Sequence, residues 1–167
     1  MLVKEKLGNI TSFPINGRTM DYLLLDWYET NKRILHKKTL SGREISMKFL
    51  NENPQLAIGD VVYQGDESII VIDINDADTI VIQPANMQEM AAICYEIGNK
   101  HLPLFYQDEE ILVPFENPLF NFLQASGYRV EKAKRKLVHP LRTTVSPHGS
   151  SGNSLFNRIM KLTTEAE

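Results

Sequence analysis

The chain has 167 residues, 43% of them hydrophobic and 23% charged, with a formal net charge of −3. That is the composition of a globular protein with enough apolar material for one core or two small ones. A single cysteine, Cys94, excludes an internal disulfide and a cysteine-based zinc cluster. The aliphatic runs at 23–25 and 69–72 fall far short of the roughly 20 residues that span a bilayer, and the opening Met1-Leu2-Val3-Lys4-Glu5-Lys6 lacks the apolar core of a secretion signal. A cytoplasmic location without a membrane partner is therefore expected.

The charge is unevenly spread. Residues 1–75 carry 9 basic and 10 acidic side chains, residues 76–127 carry 1 and 8, and residues 128–167 carry 8 and 3. The acidic middle stretch biases the local field towards cations, an effect that salt screens; a solvated acidic face is the plainer account.

Residues 1 to about 75 read as all-β. Residues 22–28 are rich in strand formers, and residues 33–40 follow a polar link. Ser41-Gly42 is a two-residue turn signal, after which residues 43–50 alternate through Ile45, Met47 and Phe49, the pattern of a hairpin. Gly59-Asp60 and Gly65-Asp66 precede two more strands, at 61–63 and 68–74. Short strands between turn signals predict a small sandwich or open barrel.

The pattern changes after Asn75-Asp76. A strand at 79–83 ends at Pro84. Asn86 caps a helix, with Glu89 in a capping-box arrangement and Met87, Met90, Ala91, Cys94 and Ile97 as its apolar stripe. Met87, Met90 and Cys94 are thus expected in the core. Gly98 is the expected left-handed stop. Strands at 102–106 and 111–115 flank a polar turn at 107–110. Asn117-Pro118 opens a second helix that faces Leu119, Phe122 and Leu123 inward and stops at Gly127; residues 129–138 form the last strand. The order β-α-β-β-α-β is that of a ferredoxin-like domain, and by itself it says little about function. The expected fold class is therefore α+β. It comprises an N-terminal all-β domain (1–75), a ferredoxin-like domain (76–140) and a flexible C-terminal tail (141–167). Leu155, Phe156, Ile159, Met160 and Leu162 have the spacing of a short amphipathic helix within that tail.

Four histidines limit where a soft metal can be held. His101, in the run Gly98-Asn99-Lys100-His101, follows a helix C-terminus, whose partial negative charge favours a cation. A lone histidine makes no metal site. Two copies across a dimer axis, or one copy plus His148 from the tail, would make one, and the chain reads as a carrier of a divalent transition metal. Nickel, copper and zinc all accept imidazole. His36, inside a strand, and His139, before Pro140, read as structural or surface residues. No HExxH, phosphate-binding glycine loop or GxSxG occurs, so no enzyme is expected. The basic strand at 129–136 leaves a small RNA-binding module as an alternative. Such a module needs exposed aromatics, of which Phe105-Tyr106 is a faint echo, and the acidic surroundings oppose it.

Three stretches resemble the UreE family of urease accessory proteins, the nickel metallochaperones of urease maturation. The run from Met90 through Tyr95-Glu96-Ile97-Gly98-Asn99-Lys100-His101 is similar to the family's helix and Gly-Asn-Arg-His signature. Asp26-Trp27-Tyr28-Glu29-Thr30, continuing into Lys32-Arg33-Ile34, is similar to its first N-terminal hairpin. Thr144-Val145-Ser146-Pro147-His148 is similar to its tail. The resemblance implies a partner- or peptide-binding N-terminal β domain and a homodimer joined through the C-terminal domains. It implies a Ni(II) site shared by the two His101 side chains, with His148 as an additional ligand and with zinc or copper accepted in vitro. It also implies delivery to the urease apoprotein complex with help from an accessory GTPase. A zinc-dependent assembly protein using the same histidines is the alternative. Two features depart from the family pattern. Lys100 stands where arginine is usual, keeping the charge and losing the fork, and the tail lacks the histidine-rich run of some members, so bulk nickel storage is not expected.

Overall fold

The computed structural model describes residues 1–50 and 54–141. The expected tail, with His148 and the apolar positions at 155–162, lies outside the described residues.

The N-terminal region is all-β. Its strands are β1 (Leu2–Val3), β2 (Gly8–Asn9), β3 (Thr19–Leu25), β4 (Ile34–Lys38), β5 (Glu44–Lys48), β6 (Asp60–Gln64) and β7 (Ser68–Ile74). They form two sheets, ordered β1-β5-β4 and β2-β6-β7-β3. The expected hairpin is β4–β5, with Leu35 opposite Met47 and Lys37 opposite Ile45. Gly42, at φ 88, supplies the left-handed turn residue that an L side chain would strain. Alternation sends Ile45 and Met47 inward, where they join Phe49, Leu23, Leu25, Ile70 and Ile72 between the sheets.

The strand expected at 22–28 stops early, at Leu25. Residues Trp27–Glu29 are a 3₁₀ turn. The Asp26 N–H donates to Glu29 Oε2 at 3.0 Å, and the Glu29 N–H donates back to the Asp26 carbonyl at 2.8 Å. Strand-forming side chains lose here to a reciprocal local hydrogen-bond pair.

The remaining elements are β8 (Asp76–Ile82), α1 (Met87–Asn99), β9 (Phe105–Gln107), β10 (Glu110–Pro114), α2 (Asn117–Ala125) and β11 (Val130–Lys136). Every neighbouring pair in their sheet is antiparallel, in the order β11-β8-β10-β9. This is the ferredoxin-like arrangement. β8 begins at Asp76, three residues before the expected start, because β11 runs far enough to pair Lys136 with it. One sheet face packs Ile80, Ile82, Ile111 and Val113 against Ile93 and Ile97 of α1 and Leu119 and Leu123 of α2. The other face packs Val81, Leu112 and Phe105 with Leu137, and Trp27 of the N-terminal region closes over this cluster. Its indole meets Phe105 edge-on, with ring centroids 5.6 Å apart.

Both helices depart from their expected faces. The buried stripe of α1 is Met90, Ile93, Cys94 and Ile97. Met87 is 86% exposed and Ala91 is also exposed, because the inward line of the helix runs through Ile93 and Ile97. In α2, Phe120 packs inward against Phe115 while Phe122 is exposed. Pro118 is the second helical residue, after Asn117.

Candidate metal centre

The Asn86 side chain accepts the Glu89 N–H at 2.9 Å and starts α1 as expected. The return bond from Glu89 takes the Ala85 N–H at 2.9 Å, one residue before the cap. The helix does not stop at Gly98. It runs through Asn99, with Lys100 as C-cap in right-handed geometry, and the left-handed residue is His101, at φ 54. The His101 N–H donates to the Gly98 carbonyl at 3.0 Å, and the Leu102 N–H donates to the Ile97 carbonyl at 3.3 Å. These are the two bonds of a Schellman motif, and the half-buried Leu102 packs in the same core cluster as Ile97. His101 is therefore held by its own N–H bond and by the hydrogen bond and burial of its successor Leu102, while its own side chain is exposed. Gly98 sits in the last helical turn with open space around it; its freedom is not spent on a turn.

Two features shape the surroundings of His101. Lys100 lays its ammonium over the Phe122 ring, 5.4 Å from the centroid. On the outer side of α1, Met87, Ala91, Tyr95 and Gly98 follow i, i+4, i+8 and i+11 and are all exposed, Tyr95 at 69%. This apolar stripe runs along the helix towards His101.

Among the described residues, no group of three or more His, Cys, Asp or Glu side chains is arranged to hold a metal ion. Cys94 is not a substitute. Burial pushes its thiol above the ordinary range and so disfavours the metal-binding thiolate, and its Sγ lies 3.9 Å from Met90 Sδ. His36 is on β4, with Nδ1 2.8 Å from Ser46 Oγ, away from the C-terminal sheet. His139 lies beside Tyr106 at the rim of an open cleft of about 420 Å³, which Ala57, Ile58, Val138 and Pro140 also line.

The segment between β11 and the end of the described chain was not legible as a feature of the site. β11 is one edge of the sheet and β9 the other. After Lys136 the chain crosses the outer face, burying Leu137 on the way, and pairs with β9. The Tyr106 N–H donates to the His139 carbonyl at 3.2 Å, Phe105 bridges Pro140, and the Leu141 N–H donates to the Leu104 carbonyl at 2.7 Å. Leu141 is thereby held opposite a residue three positions from His101. The apolar pair Leu137-Val138 after a basic strand was the only hint of this in the sequence.

The crossing also covers the surface a ferredoxin-like RNA binder would use. Phe105 is 4% exposed, and Val81 and Leu112 are equally buried. The basic strand spends its charge locally. Lys132 and Lys134 pair with Asp78, Lys136 pairs with Asp73, and Arg135 approaches Glu131. No described helix is long and apolar enough to cross a membrane.

Two family models match the chain. One, for the N-terminal domain of the UreE urease accessory protein, covers residues 3–75, and one for its C-terminal domain covers residues 77–152. The urease accessory protein UreE of Flavobacterium johnsoniae is 47% identical over 163 residues, covering 97% of this chain and 99% of that protein. Those of Haemophilus influenzae and Helicobacter pylori are 41% and 35% identical, covering 84% and 89% of this chain and 78% and 89% of their own lengths. With both models matched in sequence order and relatives aligned along nearly the whole chain, this protein belongs to the UreE urease accessory protein family.

Proposed function

We propose that this protein is a non-enzymatic chaperone that carries Ni(II) for assembly of the urease active site. It works as a homodimer in the cytoplasm and delivers its cargo to the urease apoprotein complex together with an accessory GTPase. The metal is held between the His101 imidazoles of two copies, and His148 completes the set. Imidazole is the ligand, so zinc and copper compete in vitro.

The observation that carries this reading is the backbone of His101. A histidine at φ 54, in a position glycine fills more cheaply, stands exposed at the end of a helix whose preceding turn is locked. The exposed stripe of Met87, Ala91 and Tyr95 supports pairing of two copies along α1, which would bring the two His101 side chains to one axis. Reach supports His148: it lies seven residues beyond Leu141, a span of at most about 24 Å, and Leu141 is bonded beside Leu104.

Calorimetric titration of nickel into the wild type and His101→Ala tests the site. One tight site per dimer, lost in the variant, is expected; undiminished tight binding in the variant would overturn the assignment. Restoration of urease activity in cells lacking the protein separates nickel delivery from a zinc-dependent assembly role.

A further inference from the structure

Residues 76–127 carry 8 acidic side chains and 1 basic one, and that one is Lys100, the residue before His101. Glu96 precedes Lys100 by four positions, the spacing and order in which a glutamate and a lysine pair best along a helix. The described ion pairs include neither Glu96 nor Lys100. The Lys100 ammonium instead lies 5.4 Å from the centroid of the Phe122 ring. A phenyl face attracts a cation and leaves its charge intact. Phe122 belongs to α2 and is 40% exposed, so the charge is held at the surface without being neutralised. At the other end of the side chain, Lys100 is the C-cap of α1, its N–H bonded to the Glu96 and Ile97 carbonyls at 3.3 and 3.2 Å. The lysine is thus anchored at both ends, with its Cα about 3.8 Å from that of His101.

We infer that Lys100 weakens cation binding at His101 and sets it at a level from which the metal can leave, with Phe122 as the positioning residue that keeps the ammonium in place. The inference rests on the reading of His101 as a metal ligand. The acidic stretch gathers cations around the domain, and a like charge one residue from the imidazole opposes their final approach. A unit charge and a dication roughly 10 Å apart repel in water strongly enough to change a binding constant by about 4-fold before screening. A homodimer brings two such charges to one metal. The effect is electrostatic, so it fades as salt shortens the Debye length from about 30 Å at 0.01 M to about 3 Å at 1 M. Phe122 enters because a tethered ammonium cannot swing away from an arriving metal, whereas a released one can.

The test is a mutant cycle on the full chain, read by nickel calorimetry in competition with a chelator at about 0.01 M and about 1 M salt. Lys100→Gln removes the charge and is expected to bind nickel about 3- to 10-fold more tightly at low salt, with most of the gain lost at high salt. Lys100→Arg keeps the charge and the contact with the ring, and should bind like the wild type. Phe122→Leu should tighten binding by a smaller factor, and should change nothing once Lys100 is replaced by glutamine. Unchanged or weaker binding in Lys100→Gln would overturn the inference, as would a gain that high salt leaves intact or that Lys100→Arg shares. An inert Phe122→Leu, or one whose effect is the same with and without the Lys100 charge, would overturn the positioning role, because the ring would then act through packing or not at all. If His101→Ala binds nickel as tightly as the wild type, the ligand reading underneath has failed instead.

Discussion

The two helices of the C-terminal domain end in the same way with different residues. At α2, Gly127 takes the left-handed position at φ 82, its N–H donating to the Gln124 carbonyl at 3.1 Å and that of Tyr128 to the Leu123 carbonyl at 3.2 Å. At α1 the same two bonds are made around His101 at φ 54. Glycine meets no steric penalty in this conformation, whereas a residue with a Cβ is less stable there by about 1 kcal/mol. One helix end is a stop and nothing more. The other puts a residue with a Cβ in the left-handed region and leaves its imidazole exposed, and strain kept at an exposed position is a pointer to function rather than to stability.

Exchanging the two residues tests that contrast most severely. His101→Gly should lower nickel affinity by at least about 100-fold, roughly 2.7 kcal/mol, measured by calorimetry, while keeping the fold. Retained tight binding would erase the distinction between the two ends.

Next in size is the contribution of the tail. A chain ending at Leu141 should still bind nickel, about 10- to 100-fold more weakly, or about 1–3 kcal/mol, with fewer imidazoles in X-ray absorption. Complete loss on truncation, with binding retained in His101→Ala, would move the primary site from the helix end to the tail.

The stability half of the contrast is smaller. His101→Gly should stabilise the protein by about 0.5–1 kcal/mol and Gly127→His should destabilise it by about 1 kcal/mol, both read from denaturant midpoints. Opposite signs are required; a destabilised His101→Gly would show that the imidazole packs rather than presents.

The smallest effect lies outside both helix ends, in the turn that carries Trp27. Hydrogen bonds from Asn75 and Tyr28 hold the Asp26 carboxyl below the ordinary carboxylate range. Burial pushes the Glu29 carboxyl up, but the Lys37 ammonium and the Asp26 N–H outweigh it and leave it lowered. Both groups bind protons more readily when unfolded. Their contribution is complete above the ordinary values of 3.8 and 4.5 and is lost as pH falls through them to the lower folded values. Trp27 is the sole tryptophan, so its fluorescence should report loosening of the turn below about pH 4, ahead of the loss of helix signal in circular dichroism. Simultaneous loss of both signals would mean that the turn has no separate acid response.

Much of this molecule follows from local rules, and those parts were legible. The Ser41-Gly42 hairpin, the Asn86 cap, the Gly127 stop and the β-α-β-β-α-β order all depend on residues a few positions apart, whose chemistry is the same in any context. The place of His101 just past a helix was legible for the same reason. Its left-handed backbone was not. The chain offers Gly98 as the obvious stop, and only burial of Leu102 beside Ile97 carries the helix three residues further and moves the turn onto the histidine. The inward line of α1 through Ile93 rather than Met87, the 3₁₀ turn that lifts Trp27 onto Phe105, and the crossing that returns Leu141 to Leu104 share that character. Each is decided by contacts between residues distant in sequence, where apolar burial outweighs local preference. The sequence by itself determined that a histidine follows the first helix of this domain and which elements lie on either side of it. The tertiary structure decided how His101 is held and that the chain after β11 returns to the opposite sheet edge at Leu141, because both depend on burial between residues distant in sequence.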